Sequence, residues 1–391
     1  MDEHSMACVP PFPCQPVQRI SFDDPAVIDF LRREEPVILS NVSLVRPLVG
    51  RWNVDYLKEN FPHDFLFTVF TSESNFFQYW DEEKNTGQYE YTPPTSKTQM
   101  NFQDFVETIR RPQGPSIPGS TPMSQSHPGR RHYLQQMLVT GMGEKILDDF
   151  KHVDWGTVYG WKAQLGFGDL TTNLLLVGTT GHVTPAHYDE QHNFFCQLQG
   201  RKQVILFSPS EWAKMYPFPL HHACDRQSMV DVFRMAWPAL DNNGNYFGQM
   251  PSHDRMLFPN FERASGYEAI VHPGEMLYIP SYWWHHVINL EETVSLTFWF
   301  KCPPVGDLRL PISQVQRVAL RRNIENMFGS MLGNQNVQAL MLNLLHGALT
   351  SEQARAVEEV KKLLRHVLPP EEIIGFLQEL ASNRFNLPVR M

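Results

Sequence analysis

No apolar run in the chain approaches the roughly 18 to 20 residues that carry a helix across a bilayer, and Met1–Pro16 opens with Asp2 and Glu3 instead of a basic leader and an apolar centre. A protein without a membrane span or a secretion signal is the expectation. Cysteine is scarce and unpatterned: Cys8, Cys14, Cys196, Cys224 and Cys302 are odd in number and show no CxxC spacing, which fits reduced thiols better than a disulfide framework. The expected compartment is intracellular, in the cytoplasm, with entry into the nucleus left open. Positive charge is also short, with 33 Lys and Arg against 42 Asp and Glu and a net charge of −9. No global basic field would hold a nucleic-acid backbone, so nucleic acid is not expected as the main partner.

What the 391 residues do contain is 42% hydrophobic and 12% aromatic side chains, enough for a large core in one sizeable domain with additions. Residues 1–16 read as a disordered tail. Asp24-Pro25 then offers a helix cap with proline at the first helical position, leading into Val27-Ile28 and Phe30-Leu31. Short runs at Pro36–Leu39 and Phe65–Phe70 read as strands, with a more helical spacing from Trp52 to Phe61 between them. Residues 17–130 are thus expected to be α/β elements, ending in a flexible loop at 113–130 where Pro and Gly alternate with Ser and Gln.

From 131 to about 303 the pattern becomes short strands punctuated by Gly and Pro: Leu174–Val177, Asn193–Leu198, Gln203–Phe207, Met276–Ile279 and Thr293–Phe300. Such a series points to an antiparallel sandwich or barrel. Residues 304–391 turn helical: apolar side chains recur at Val315, Val318, Ala319, Ile324, Met327 and Phe328, and then at Leu340, Leu342, Leu344 and Leu345. Thr350–Gln353 resembles a capping box opening a helix to about Val367, and Pro369-Pro370 followed by Glu371-Glu372 starts another. The fold class expected is α+β with a mainly β core.

His187-Tyr188-Asp189 puts two good metal ligands two residues apart, and along a strand a period of two points both to one face while Glu190 points away. A histidine from a later strand would complete a triad of two imidazoles and one carboxylate with open coordination positions. His285 or His286 can supply it, 96 residues after Asp189 (285 − 189) in the case of His285, which demands a non-local pairing. Because 16 histidines make a chance His-x-Asp triplet ordinary, the neighbours matter. Lys202 would be costly to bury beside such a site unless an anion neutralised it. Following Gly200-Arg201, it reads equally as a solvated hairpin residue.

The segment Thr184–Phe195 closely resembles the asparaginyl hydroxylases among the jumonji-C cupin oxygenases. The resemblance extends to Tyr133–Gln136, His221-His222, Cys224–Ser228, Phe258–Phe261, Gly266–Glu268, Leu277–Pro280, Trp283–His286 and Arg322–Glu325, covering roughly residues 20 to 347. It implies a double-stranded β-helix, the jelly-roll or cupin fold, over residues 131–303, and an enzyme that uses iron(II), 2-oxoglutarate and molecular oxygen. Carried over by position, the iron ligands fall on His187, Asp189 and His285, and Lys202, Tyr133 and Thr184 hold the distal carboxylate of 2-oxoglutarate. Asn193, Trp299 and Thr297 lie in the same pocket. Gln191, Arg226, Gln227 and Gln135 contact the substrate, with Tyr79 and Asp81 in the substrate groove. The implied substrate is an asparagine of a hypoxia-inducible-factor transactivation domain or of an ankyrin-repeat protein. The implied assembly is a homodimer through the C-terminal helices.

Three departures from the family are visible. Thr297 stands where the family has asparagine, residues 233–257 look like an insertion, and about 40 residues follow Gly347 beyond the usual end. Competing readings are a related hydroxylase or demethylase acting on another residue, a catalytically silent cupin used for partner binding, and a zinc hydrolase, since the same donors suit zinc. His221-His222 reads as part of a substrate loop or the surface, because no carboxylate cluster at metal spacing accompanies it.

Overall fold

The computed structural model describes residues 12–86, 88–111, 130–138, 141–232, 256–302 and 310–388, with the backbone alone of 239–240 and 246–247. Two sheets form its centre. The smaller orders its strands Cys14–Pro16, Gly266–Val271, Lys202–Phe207, Trp284–Asn289 and Val183–His187. The larger runs Arg19–Ser21, Val37–Ser40, Met276–Ile279, Gln191–Gln199, Thr293–Lys301, Leu174–Gly178, Arg131–Met137, Phe67–Ser72 and Thr95–Met100, with Leu170–Thr172 also paired to Thr293–Lys301. Between Val183 and Lys301 the chain passes repeatedly from one sheet to the other, the winding of a double-stranded β-helix, and the mainly β, α+β class expected from the sequence is the one observed.

Alternation along each strand divides the side chains between three layers. Phe194, Cys196 and Leu198 pack outward under the N-terminal helices Val27–Arg33, Val54–Asn60 and Phe102–Arg110, while Phe195 faces the inter-sheet space with Val204, Leu206, Leu277 and Ile279. Ile205, Phe207 and Trp284 point out of the smaller sheet into a core shared with Trp212, Ile324, Phe328 and the helices that follow. These strands are buried on both faces, which is why they read as continuous apolar runs.

The C-terminal part holds helices Gln314–Leu332, Asn334–His346, Ser351–Leu364 and Pro370–Ala381. Thr350 and Gln353 form the capping box read from the sequence; the helix they open stops at Leu364, short of Val367. Leu340 is fully buried within the chain's own core, whereas Leu345 is exposed. No helix among the described residues is long and apolar enough to cross a membrane.

Several expectations need correction. Residues 12–16 are not a loose tail: Phe12 packs on Phe207 and Phe261, and Cys14–Pro16 pairs in parallel with Gly266–Glu268. Three residues that follow Pro13 and end in Pro16 carry no periodicity of their own, and their order comes from the strand they join. Asp24 accepts from the Ala26 N–H in a turn ahead of the helix, which begins at Val27 with no side-chain cap. The strand expected at Phe65–Phe70 is Phe67–Ser72. Residues 1–11, all but Arg130 of the loop expected at 113–130 and most of the 233–257 segment lie outside the described residues; within the last, Ala239–Leu240 pairs with Tyr246–Phe247.

Candidate metal centre

His187 is the final residue of its strand, and it pairs directly with His285 on the neighbouring strand. The rings lie 4.1 Å apart between centroids. Asp189 falls just past the strand end rather than on it, so strand alternation alone does not place it; the Asp189 carbonyl accepts from the Tyr282 N–H at 2.7 Å and fixes the turn. Its Oδ2 sits 3.5 Å from His285 Nε2 and 4.0 Å from His187 Nε2. Of the described residues, these three alone form a His/Cys/Asp/Glu group with potential ligand atoms all within 4.8 Å of one another. Glu190 points away and pairs with Arg322.

Both imidazoles are oriented by backbone. His187 Nδ1 donates to the Pro185 carbonyl at 2.9 Å and His285 Nδ1 to the Trp283 carbonyl at 3.1 Å, each two residues earlier in the chain. That pairing leaves both Nε2 atoms as lone-pair donors aimed at one region. Burial, with a smaller contribution from His187, pushes the His285 pKa down to about 4, so the ring is neutral at physiological pH. Asp189 Oδ2 and Asn193 Oδ1 are buried without a hydrogen-bond partner, an arrangement that costs free energy until a cation or donor is supplied. The donor set and these orphaned oxygens fit a divalent metal.

The triad opens into a cavity of about 300 Å³ between the sheets. Its apolar walls include Leu174, Leu176, Phe195, Val204, Ile279 and Val287. Lys202 lies at the start of its strand, fully buried, and is not the solvated hairpin residue that the turn beside it suggested. The turn is real: Gly200 has φ +66°, and a Cβ there would lie 2.2 Å from the Glu292 carbonyl oxygen. Lys202 Nζ donates to the Tyr133 hydroxyl at 3.3 Å and has no carboxylate partner among the described residues. Burial alone lowers its pKa to about 7 and raises that of Tyr133, which also receives the Thr184 hydroxyl. Lys202 pairs with Asn289, four residues along the strand from His285. That offset corresponds to about 13 Å at ~3.3 Å per residue, a span that the lysine side chain and an extended dicarboxylic acid fill together.

The structure brings His187, Asp189, His285, Lys202, Tyr133, Thr184, Asn193, Thr297, Trp299, Gln135, Tyr79, Arg226 and Gln227 to this one cavity. It does not bring Gln191 or Asp81 to its lining. Gln191 Oε1 is taken by the Thr171 hydroxyl at 2.7 Å, and Asp81 Oδ1 accepts from the Glu83 N–H. Thr297 accepts the Trp299 indole N–H at 2.7 Å, so the threonine orients the tryptophan. Gln227 donates its amide to the Tyr79 carbonyl and is committed to the cavity wall. Arg226, held at φ +68°, places its Nη1 3.9 Å from Asp189. His222 is buried against Phe218, Tyr89 and Tyr91, which rules out a surface role for that residue.

Sequence reasoning passed over Asp225, Tyr188, Arg322 and Lys84. Asp225 and Tyr188 line the cavity; Arg322 clasps Asp225 with 2.6 and 2.9 Å bonds and reaches the Tyr188 hydroxyl, and Lys84 binds the other side of Asp225 at 2.6 Å. Asp225 and Arg322 stand inside the segments that carry the family resemblance. No spacing rule links residues 97 positions apart.

A two-histidine, one-carboxylate triad set in a double-stranded β-helix defines the class of cupin proteins. The chain belongs to the cupin-like domain family, whose model matches residues 26–305. Among curated proteins it is 36% identical over 126 residues to lysine-specific demethylase 8 of Xenopus tropicalis, covering 32% of this chain and 24% of that protein. To lysine-specific demethylase 8 of Danio rerio it is 27% identical over 284 residues, or 70% and 54% of the two chains. Lysine-specific demethylase JMJ30 of Arabidopsis thaliana is 26% identical over 273 residues, or 70% and 51%. The chain thus spans from about a quarter to about half the length of these relatives.

Proposed function

We propose that the protein is an iron(II)- and 2-oxoglutarate-dependent oxygenase that modifies a protein side chain. The observation that carries this reading is the combination, in one cavity, of the oriented triad and a fully buried lysine with no carboxylate partner among the described residues. His187, Asp189 and His285 would hold the metal. Lys202, with Tyr133 and Thr184, would bind the distal carboxylate of 2-oxoglutarate through a charge-assisted bond that restores the lysine's proton. When bound, iron(II) and 2-oxoglutarate supply the oxidising chemistry; the chain's own residues orient them, exclude water with the apolar walls and present the substrate carbon.

For the substrate, the finer proposal is asparagine. The resemblance to factor inhibiting hypoxia-inducible factor, an asparaginyl hydroxylase, supports hydroxylation at the asparagine β-carbon in a transactivation-domain or ankyrin-repeat segment, with Arg226 and Gln135 toward the target amide. A homodimer through the C-terminal helices is part of the same proposal, with exposed Leu345 as its apolar contact. The names of the relatives favour a second reading, demethylation of lysine.

The test incubates the protein with iron(II), 2-oxoglutarate and asparagine-containing ankyrin or transactivation-domain peptides beside methyl-lysine peptides. Succinate formation with one added oxygen on asparagine supports the first reading. Loss of a methyl group from lysine supports the second, and turnover that needs zinc instead of iron and 2-oxoglutarate overturns both.

A further inference from the structure

The region C-terminal to the matched family domain reaches back toward the cavity wall through Arg322, on Asp225, and through a second arginine further along the chain. Arg384 follows helix Pro370–Ala381 and is buried to 3% exposure together with Glu325 at 2%, the two joined at 2.7 Å. Every arm of its guanidinium is used: Nε donates to the Pro217 carbonyl at 2.8 Å, Nη2 to the Phe218 carbonyl at 3.2 Å and Nη1 to the Leu380 carbonyl at 2.8 Å. Glu325 in turn accepts the Leu220 N–H at 2.8 Å. The cation also lies 4.5 Å over the Trp212 ring.

Pro217 and Phe218 are the outer rung of the loop that carries the cavity wall. Phe218 N–H donates to the Gln227 carbonyl at 2.9 Å, and Pro217 bridges Ser228. Ser228 N–H donates to the Ala186 carbonyl at 2.8 Å, Tyr188 N–H to the Arg226 carbonyl at 3.0 Å, and Gln227 bridges His187 itself. An unbroken hydrogen-bonded ladder therefore runs from Arg384 through residues 217–218 and 226–228 to the strand that ends in His187.

We propose that Arg384 is a positioning residue: with Glu325 it holds the 217–228 loop so that Gln227 keeps its place in the cavity wall and Arg226 meets an incoming substrate, coupling the C-terminal helices to substrate reception. This rests on the oxygenase reading only for its effect on turnover. The loop contacts carry the structural part, because a buried guanidinium with its charge paired and three carbonyls satisfied resists displacement, whereas removing one partner leaves a buried charge alone.

The test uses the full chain and hydrogen exchange. Arg384→Lys retains a cation for Glu325 but cannot serve three carbonyls at once. It is expected to speed exchange of the Phe218, Leu220 and Ser228 amides by about tenfold or more, leaving the strands Gln191–Gln199 and Lys202–Phe207 unchanged. With a peptide that the parent protein modifies, KM for the peptide rises while KM for 2-oxoglutarate stays put. Unchanged exchange over 217–228 in folded Arg384→Lys overturns the proposal. So does uniform acceleration through both sheets, which marks general destabilisation. If Arg384→Lys does not fold, Glu325→Gln, which keeps the volume and removes the charge, is read by the same amides. Exchange is measured without metal or 2-oxoglutarate, so a parent protein that consumes no 2-oxoglutarate overturns the oxygenase reading alone.

Discussion

His187 and His285 hang from adjacent strands of one sheet and are aimed by carbonyls two residues earlier in the chain. Arg226 and Gln227, beside them on the wall of the same cavity, sit on a loop held by Arg384, Arg322, Lys84 and the Tyr79 carbonyl, all distant in sequence. The imidazoles of the candidate metal end are therefore oriented locally. The loop end is suspended from side chains of several other segments, and it meets the ligands through the Gln227–His187 bridge and the approach of Arg226 to Asp189. A difference of this kind separates the residues that set the chemistry from those that decide what reaches it.

The largest expected effect strikes the metal end. Asp189→Ala removes the carboxylate and is expected to abolish iron-dependent 2-oxoglutarate consumption and to weaken Co(II) binding in an absorption titration, with the 217–228 loop intact by hydrogen exchange. Retained 2-oxoglutarate turnover in that variant would break the assignment of the triad.

Next is Lys202→Met, which replaces the buried cation by an apolar chain of similar length. Loss of the charge-assisted bond should weaken 2-oxoglutarate binding by about 2–5 kcal/mol, read as a rise in KM or by calorimetry. The pH dependence has a definite sign. Lys202 is lowered to about 7 from its ordinary 10.5, so between those values the unfolded chain binds a proton that the ligand-free folded chain has released. Stability of the ligand-free protein contributed by this group therefore rises as pH rises from about 7 toward 10.5 and is flat below. In the same window 2-oxoglutarate affinity falls, because the ammonium form is the one that pairs. Lys202→Met should remove both dependences in urea denaturation and binding measured on either side of neutrality.

Asp225→Ala probes the loop end. It leaves Arg322 and Lys84 without the carboxylate between them, and the expected loss is about 3 kcal/mol of stability in urea denaturation, with 2-oxoglutarate binding preserved. The smallest effect is expected at Thr350→Ala, far from both ends: loss of the capping box costs about 1 kcal/mol and leaves binding at either end as in the parent. An effect of Thr350→Ala on metal binding as large as that of Asp189→Ala would erase the contrast.

How much was legible depended on distance along the chain. The strands at 174–178, 191–199, 202–207, 276–279 and 293–301 could be read because they are largely buried and carry apolar runs such as Phe194–Cys196 and Val204–Phe207. Thr95–Met100, four of whose six residues are exposed on the sheet edge, carries no such signal. The Thr350–Gln353 cap was readable because its partners are three residues apart. Gln191 was assigned to the substrate through the family resemblance, yet its amide oxygen is occupied by Thr171, a contact made across strands.

The sequence by itself determined the layered strand pattern and the helical C-terminal region, because both follow from local periodicity and capping chemistry. Through the resemblance it also pointed to thirteen side chains that meet in one cavity, though not to Asp225 or Tyr188 beside them. Only the tertiary structure decided that Lys202 is fully buried instead of lying on a solvated hairpin, that Asp189 is placed by a turn and not by its strand, and that Arg384 ties the last helices to the cavity wall. Each of these depends on which groups 50 to 170 positions away exclude water or offer a carbonyl, a relation that chain packing creates and no local pattern contains.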